Sequence, residues 1–280
     1  MRVAVVGAGT MGRDIALNLA AFGIQTILKD TNPAALDEAR TTIRQNLRLY
    51  KMTNPAYKAV SKDDLDSLIQ YTVNYDDFSN LDWVIENVPE EWALKEQVYK
   101  ELAEVCSKET AFGVNTSCIS ITKVAALMPQ PGNVIGMHFM NPVPMKPAVE
   151  TVKGFHTSDD TISRAKALLK AMGKKMILVN DFPGFVANRL SHLFMNEAAF
   201  LVQDQVADPV SIDAVFKEGY GHAMGPLETA DLIGLDTVVS SLKVLYDSYQ
   251  DPKFRCCPLL QKMVDAGLLG KKSGRGFYQY

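Results

Sequence analysis

In the stretch "VIGMHFMNPVPMKPAVE", His138 precedes Glu150 by twelve residues. The flanks are apolar, and burying either group without a partner is costly. An imidazole oriented by a carboxylate holds one tautomer ready to take a proton. "GMHF" reads as the end of a strand, and Pro142, Pro144 and Pro147 build a turn behind it. If "AVETV" runs back as a strand, Glu150 returns to His138. Upstream, "VNTSCISIT" also follows a strand-like run, which puts Asn115, Thr116 and Ser117 at a strand end. His156, His192 and His222 are the other histidines, none in such a setting. On spacing alone a single histidine is more often structural than catalytic, and Ser117 is an ordinary strand-end hydroxyl. Chemistry at His138 needs a partner that accepts what a base releases.

The opening stretch "RVAVVGAGTMGRDIALNLAAFGIQTILKD" offers one. Val3 to Val6 is a short apolar run of the kind a parallel strand shows when both its faces are covered. Gly7, Gly9 and Gly12, with Thr10 and Met11 between them, then form G-x-G-x-x-G. The first glycine permits a tight turn and the second lets the backbone approach a pyrophosphate. The third allows close packing of a helix whose free N–H groups and positive end face the phosphates. Ile15, Leu17, Leu19 and Ala20 give that helix an apolar face. "TILKD" then reads as a second strand ending at Asp30, eighteen residues past Gly12. An acid there accepts hydrogen bonds from both adenosine ribose hydroxyls and repels a 2′-phosphate, so the expected cofactor is NAD rather than NADP. Beside a nicotinamide, a histidine base takes a hydroxyl proton while the carbon-bound hydrogen leaves as hydride. The residues alone therefore predict an NAD-dependent oxidoreductase with His138 as its base.

Further strands are expected at "YTVNY", "DWVIENV", "TAFGVNTS", "NVIGMHF" and "KKMILVN", with helices between several of them, such as Leu94 to Ser107. This is a doubly wound, Rossmann-like α/β pattern with a mostly parallel sheet over residues 1–181. Pro183-Gly184 then punctuates, and residues 182–280 read as an all-α domain. Between the second and third expected strands a helix from Pro33 to Tyr50 carries Arg40, Arg44 and Arg48 on one face. That stripe is either a solvated face or a landing strip for an anionic group. Ser61 looks like a helix cap.

Composition narrows the class. The chain has 280 residues, a net charge of −3 and no basic field that would draw in nucleic acid. No apolar run approaches the length of a membrane-spanning helix, and the N-terminus enters a strand with no room for a signal peptide. Cys106, Cys118, Cys256 and Cys257 lack metal-ligand spacing, so no metal site is expected. These features suggest a cytoplasmic protein with free thiols.

Six motifs in order, "GAGTMG", "NTSCISIT", "GMHFMNPVP…VE", "VNDFPGFVANR", "GHAMGPLETADLIGLD" and "GKKSGRGFYQY", resemble the L-3-hydroxyacyl-CoA dehydrogenase family, in particular its short bacterial 3-hydroxybutyryl-CoA form. The resemblance covers essentially the whole chain. It implies that Ser117 hydrogen-bonds the substrate C3 oxygen, that His138 is the general base and that Glu150 orients it. Asn188 would help to hold substrate and the catalytic geometry. On the cofactor side it implies Gly7 to Gly12, Asp30, Glu90, Lys95, Asn115, Asn141 and Lys272, and it implies a homodimer formed by the helical domain.

This chain departs from the family pattern in three places. "MKPAV" stands where the family usually reads V-M-K-L-V, and "NTSC" where it reads "NTSS". "KMTNPAYKAVSK" does not resemble the family's Lys-rich loop that grips coenzyme A. Two further readings follow. In one, the same chemistry acts on a 3-hydroxyacyl group tethered to an acyl carrier protein, as in making hydroxymalonyl-type extender units. In the other, the fold serves a non-catalytic NAD(H) sensor or structural protein.

Overall fold

Strand β1 (Arg2–Val6) has no polar side chain after its first residue and lies buried at the centre of a sheet. In the computed structural model, which describes residues 1–280, the chain divides into two compact units, Met1–Asp181 and Phe182–Tyr280. The first unit contains β2 (Gln25–Lys29), β3 (Ile69–Thr72), β4 (Trp83–Glu86), β5 (Ala111–Val114), β6 (Val134–His138), β7 (Ala148–Lys153) and β8 (Lys175–Asn180). All eight strands join one sheet in the order β3-β2-β1-β4-β5-β6-β7-β8.

The six strands from β3 to β6 run parallel. Strands β4, β5 and β6 are buried at every residue, as apolar strands covered on both faces must be. The chain winds outward from β1 to β3 and then crosses back to β4, so the winding reverses between β1 and β4. In such sheets ligands gather outside the carboxyl ends of the strands at that reversal. Strand β7 turns back antiparallel to β6, and β8 pairs parallel to β7 at the sheet edge.

The connecting helices are α1 (Thr10–Ala21), α2 (Pro33–Thr53), α3 (Lys62–Leu68), α4 (Trp92–Val105), α5 (Ile121–Ala125) and α6 (Asp159–Ala171). Ser61 does cap α3: its hydroxyl accepts from the Asp64 N–H, and the Asp64 carboxylate accepts from the Ser61 N–H. The strand expected at "YTVNY" ends earlier, at Thr72. There the Thr72 hydroxyl donates to the Asn74 side chain and accepts from the Asn74 N–H, closing a turn that the apolar pattern does not reveal.

The second unit is helical: α7 (Ala187–Gln203), α8 (Pro209–Ala214), α9 (Pro226–Ile233), α10 (Leu235–Tyr249) and α11 (Pro258–Asp265). Met195, Leu235, Leu242, Cys257 and Leu260 form its core. Buried Asp231 anchors the last residues by accepting from the Phe277 and Tyr278 N–H groups. No helix is long and apolar enough to cross a membrane.

Candidate active site

The Gly7–Gly12 turn fills the space between β1 and α1. Gly7 has φ +99°, and a Cβ there would come within 2.7 Å of the Asn87 carbonyl oxygen. At Gly12 a Cβ would lie 1.8 Å from the Gly7 carbonyl oxygen, so α1 packs directly on the turn. Gly9, by contrast, has nothing within 4 Å of a Cβ position, and as N-cap of α1 it supplies no side-chain bond. Its backbone and the first N–H groups of α1 face a cavity of about 540 Å³. Thr10, Met11 and Asp30 line that cavity with Asn87, Val88 and Pro89.

Asp30 accepts from the Ala8 N–H at 2.7 Å and from the Asn32 N–H at 2.9 Å, so it ties the glycine turn to the start of α2. Each oxygen keeps a lone pair for a ribose hydroxyl. Arg13, the arginine at this cavity, is paired with Glu38 at 2.6 Å. The open turn, the helix N-terminus and the acid after β2 therefore fit a dinucleotide with an unphosphorylated ribose.

Under the crevice wall lies a sealed ion pair. Lys95 Nζ is 2.8 and 2.9 Å from the two Glu86 oxygens and 3.1 Å from the Asn115 carbonyl oxygen. Both side chains are 0% exposed. Burial pushes the Glu86 carboxyl up and the Lys95 ammonium opposes that shift. Above them, Glu90 Oε1 accepts from the Thr116 hydroxyl and from the Ser117 and Cys118 N–H groups, the latter two at 2.9 Å. Glu90 thus holds the loop that carries Ser117. The Asn115 side chain donates to Asn87 at 2.7 Å and accepts from the Phe139 N–H at 3.2 Å, stitching together the ends of β4, β5 and β6.

His138 is the last residue of β6, and the antiparallel register sets it directly opposite Glu150. Its Nδ1 lies 2.8 Å from Glu150 Oε2, and its Nε2 lies 3.2 Å from Ser117 Oγ. Both members of the pair are buried at 7% exposure. A carboxylate only accepts, so Nδ1 carries the proton toward Glu150 and the Nε2 lone pair of the neutral ring points toward the Ser117 hydroxyl. This arrangement can take a proton from an alcohol at Nε2 and can hold the same alcohol with Ser117.

The structure brings Ser117, His138 and Glu150 together, and it gathers Gly7, Gly9, Thr10, Met11, Gly12 and Asp30 around the crevice. Asn141 is exposed in the β6–β7 connection, before a cis bond to Pro142. Asn188 lies in the first turn of α7. Lys272 belongs to the second unit and donates to Asp236 at 2.6 Å. Of the arginine stripe, Arg44 pairs with Asp66 and Arg40 lies over the Tyr71 ring.

Sequence reasoning passed over Asn87, Val88 and Pro89, although their place just after a strand beside the winding reversal could have flagged them. It also passed over Asp181, whose Oδ2 accepts from the Ser120 hydroxyl and from both the N–H and hydroxyl of Thr122. Those bonds pin the start of α5, directly after the Ser117 loop.

Comparison with known proteins adds a family to this geometry. The model for the NAD binding domain of 3-hydroxyacyl-CoA dehydrogenase matches residues 2–182, and that for its C-terminal domain matches residues 184–280. A probable 3-hydroxybutyryl-CoA dehydrogenase of Bacillus subtilis (strain 168) is 42% identical over 283 residues, covering 100% of this chain and 97% of that protein. The 3-hydroxybutyryl-CoA dehydrogenase of Clostridioides difficile is 40% identical over 280 residues, covering 100% and 99%. The crystal structure of (S)-3-hydroxybutyryl-CoA dehydrogenase from Ralstonia eutropha matches with a TM-score of 0.94 and 39% identity, covering 100% of this chain and 98% of that one.

Proposed function

The chain belongs to the 3-hydroxyacyl-CoA dehydrogenase family, and from that premise we propose that His138 is the base for oxidation of the C3 hydroxyl of a short 3-hydroxyacyl-CoA. It is an NAD-dependent oxidoreductase, and NAD⁺ held along the glycine turn supplies the acceptor for the hydrogen that leaves C3 as hydride. The observation that carries the assignment of the base is the division of labour on the imidazole. Nδ1 is committed to Glu150, and Nε2 faces the Ser117 hydroxyl.

In the oxidising direction His138 Nε2 accepts the proton of the C3 hydroxyl. The Ser117 hydroxyl donates to the C3 oxygen and keeps it aligned with Nε2. Glu150 stabilises the imidazolium that forms and prevents the ring from turning. In the reducing direction the imidazolium returns the proton to the same oxygen. Asn188 belongs to this reading as a substrate-holding residue. Glu90, Asn115, Asn141, Lys95 and Lys272 belong to it on the cofactor side, Glu90 also through its grip on the Ser117 loop and Lys95 through its buried support of Glu86. The names of the relatives point to a four-carbon acyl group.

The helical unit leaves Leu190, Val210, Val215 and Tyr220 exposed, and we assign that unit to a homodimer contact. A carrier-protein substrate is the second reading. It rests on the changed "KMTNPAYKAVSK" segment, in which Tyr57 and Val60 turn inward.

The test follows NADH absorbance with acetoacetyl-CoA and, in parallel, with the same acyl group on a carrier protein. Oxidation of NADH with the coenzyme A ester is the expected result. His138→Ala should lower kcat by a factor on the order of 10²–10⁴, the usual contribution of a placed general base, and leave NADH binding intact. Turnover with the carrier-bound group alone would transfer the chemistry to a carrier-protein enzyme. An active His138→Ala variant would remove the base from the mechanism.

A further inference from the structure

The β6–β7 ladder that sets His138 against Glu150 has three residue pairs, Gly136↔Val152, Met137↔Thr151 and His138↔Glu150. The reactive pair is therefore the last rung before the connection that joins the two strands. Strand β7 is held on its other side by β8, but β6 ends at His138. What fixes that rung from beyond the ladder is the connection through Phe139 to Pro147.

That connection is gripped from three elements. Asp14 on α1 accepts from the Val143 N–H at 3.2 Å. Lys174, just before β8, donates to the Val143 carbonyl at 2.7 Å and to the Lys146 carbonyl at 2.9 Å. Asn54, the C-cap of α2, donates to the Pro144 carbonyl at 3.0 Å. One residue, Val143, is thus held at both its N–H and its C=O by two buried ionisable side chains. Asp14 and Lys174 do not form an ion pair with each other. Both are spent on backbone groups of a loop, and each carries the cost of a charge brought out of water. Burial raises the Asp14 carboxyl and lowers the Lys174 ammonium to about 8. Around them stand Tyr50 on α2, which donates to Asp14, and Tyr57 in the following turn; Arg13 on α1 acts on Asp14, Asp14 acts on Lys174, and Lys146 lines the same pocket as Lys174. Two of the three stretches in which this chain departs from the family pattern, around Asn54 and around Pro147, meet here.

We propose that Asp14, Lys174 and Asn54 form a clamp that positions the last rung of the ladder, so that they act on the reaction through the His138–Glu150 alignment. They are positioning residues and touch neither substrate nor cofactor. The proposal rests on His138 and Glu150 being the reacting pair.

Lys174→Met and Asp14→Ala, studied in the full chain, should each lower kcat/KM by roughly tenfold, the size usual for coupling within one network. NADH affinity, read by fluorescence titration, should not change. Asp14→Asn keeps an oxygen for the Val143 N–H and should restore most of the rate. The acid limb of the kcat/KM profile should move the same way in Lys174→Met as in Glu150→Gln. In a Glu150→Ala background, which removes the acceptor that the clamp aligns with Nδ1, Lys174→Met should add no further loss.

A second readout follows from linkage. The buried ammonium is lowered from its ordinary 10.5 to about 8, so its cost is present below pH 8 and disappears as pH rises to 10.5. Wild type should therefore gain stability relative to Lys174→Met across that interval. Losses that multiply in the Glu150→Ala background, or a lowered melting temperature with the pH profile in place, would reduce the clamp to ordinary scaffolding and overturn the proposal. If His138→Ala is inactive while Lys174→Met and Asp14→Ala behave as wild type, the clamp alone falls. If His138→Ala is active, the reading of the reacting pair falls first.

Discussion

Two buried carboxylates in the first unit each hold one basic partner, and they differ in what the rest of that partner faces. Glu86 ends β4 and binds Lys95, whose three hydrogens also reach the Asn115 carbonyl oxygen. Every donor and acceptor in that pair is used inside the protein, and both side chains are 0% exposed. Glu150 on β7 binds His138 through Nδ1, and Nε2 is directed at a rotatable hydroxyl at the rim. Burial and pairing are common to both. Only the second turns its other ring nitrogen to a rotatable hydroxyl at a strand end, which a substrate oxygen can replace or join. A buried, fixed nitrogen whose partner is an exchangeable hydroxyl separates a group that can react from one that braces a wall.

The sharpest break in this contrast should come at the sealed pair. Lys95→Met leaves Glu86 charged and unpartnered by any cation, which costs about 3–5 kcal/mol for a buried pair. Denaturant unfolding should show a loss of that size. Adding Glu86→Gln should recover most of it, because the amide oxygen still accepts from the Val88 N–H that the carboxylate now holds at 2.7 Å. If unfolding were unchanged and NADH binding weakened instead, Lys95 would be a cofactor ligand and the contrast would collapse.

Glu150→Gln asks the converse question at the reactive pair. An amide can still accept from Nδ1–H, so stability should fall by much less than for Lys95→Met. Turnover should fall by roughly 10–10²-fold, a part of what the complete general base contributes. A stability loss matching that of Lys95→Met, with kcat unchanged, would make both pairs structural.

The sequence made one of these pairs visible and concealed the other, for a physical reason. His138 and Glu150 are joined by a single hairpin, and strand alternation with three prolines between them is enough to bring them face to face. The glycine turn and Asp30 are equally local, lying within one strand–helix–strand unit. Continuous apolar runs gave the buried strands, and the shift to helical spacing after Pro183-Gly184 gave the all-α character of the second unit. Lys95 came to notice only through resemblance, because an acid on a strand and a lysine one turn into the next helix share no period. The Asp14–Val143 and Ser120–Asp181 bonds span 129 and 61 residues. Periodicity tells which residues are buried, but not which distant polar partners they find. The end of β3 was misjudged for a related reason, since a Thr72–Asn74 side-chain bond turned the chain where the apolar pattern continued.

The smallest effect is expected at the far end of the Ser117 loop, and it bears on how independently the rim is built. Ser120 caps α5 by accepting from the Lys123 N–H at 3.2 Å, and it donates to Asp181 at 2.8 Å. Ser120→Ala removes both bonds and should cost about 1 kcal/mol, as N-cap losses do. For a chain of this size that is a fall of about 2–4 °C in Tm. The rate should stay within about twofold of wild type, as for substitutions that disturb no special feature. Glu90 holds Ser117 and Cys118 by their N–H groups and Thr116 by its hydroxyl from the other side of the loop, and Thr122 retains its own two bonds to Asp181. A tenfold drop in kcat with so small a change in Tm would mean that Ser117 depends on Asp181 for its place. The open pair would then be no self-contained unit of three side chains, but the exposed end of a brace running from Asp181 through Ser120 to His138.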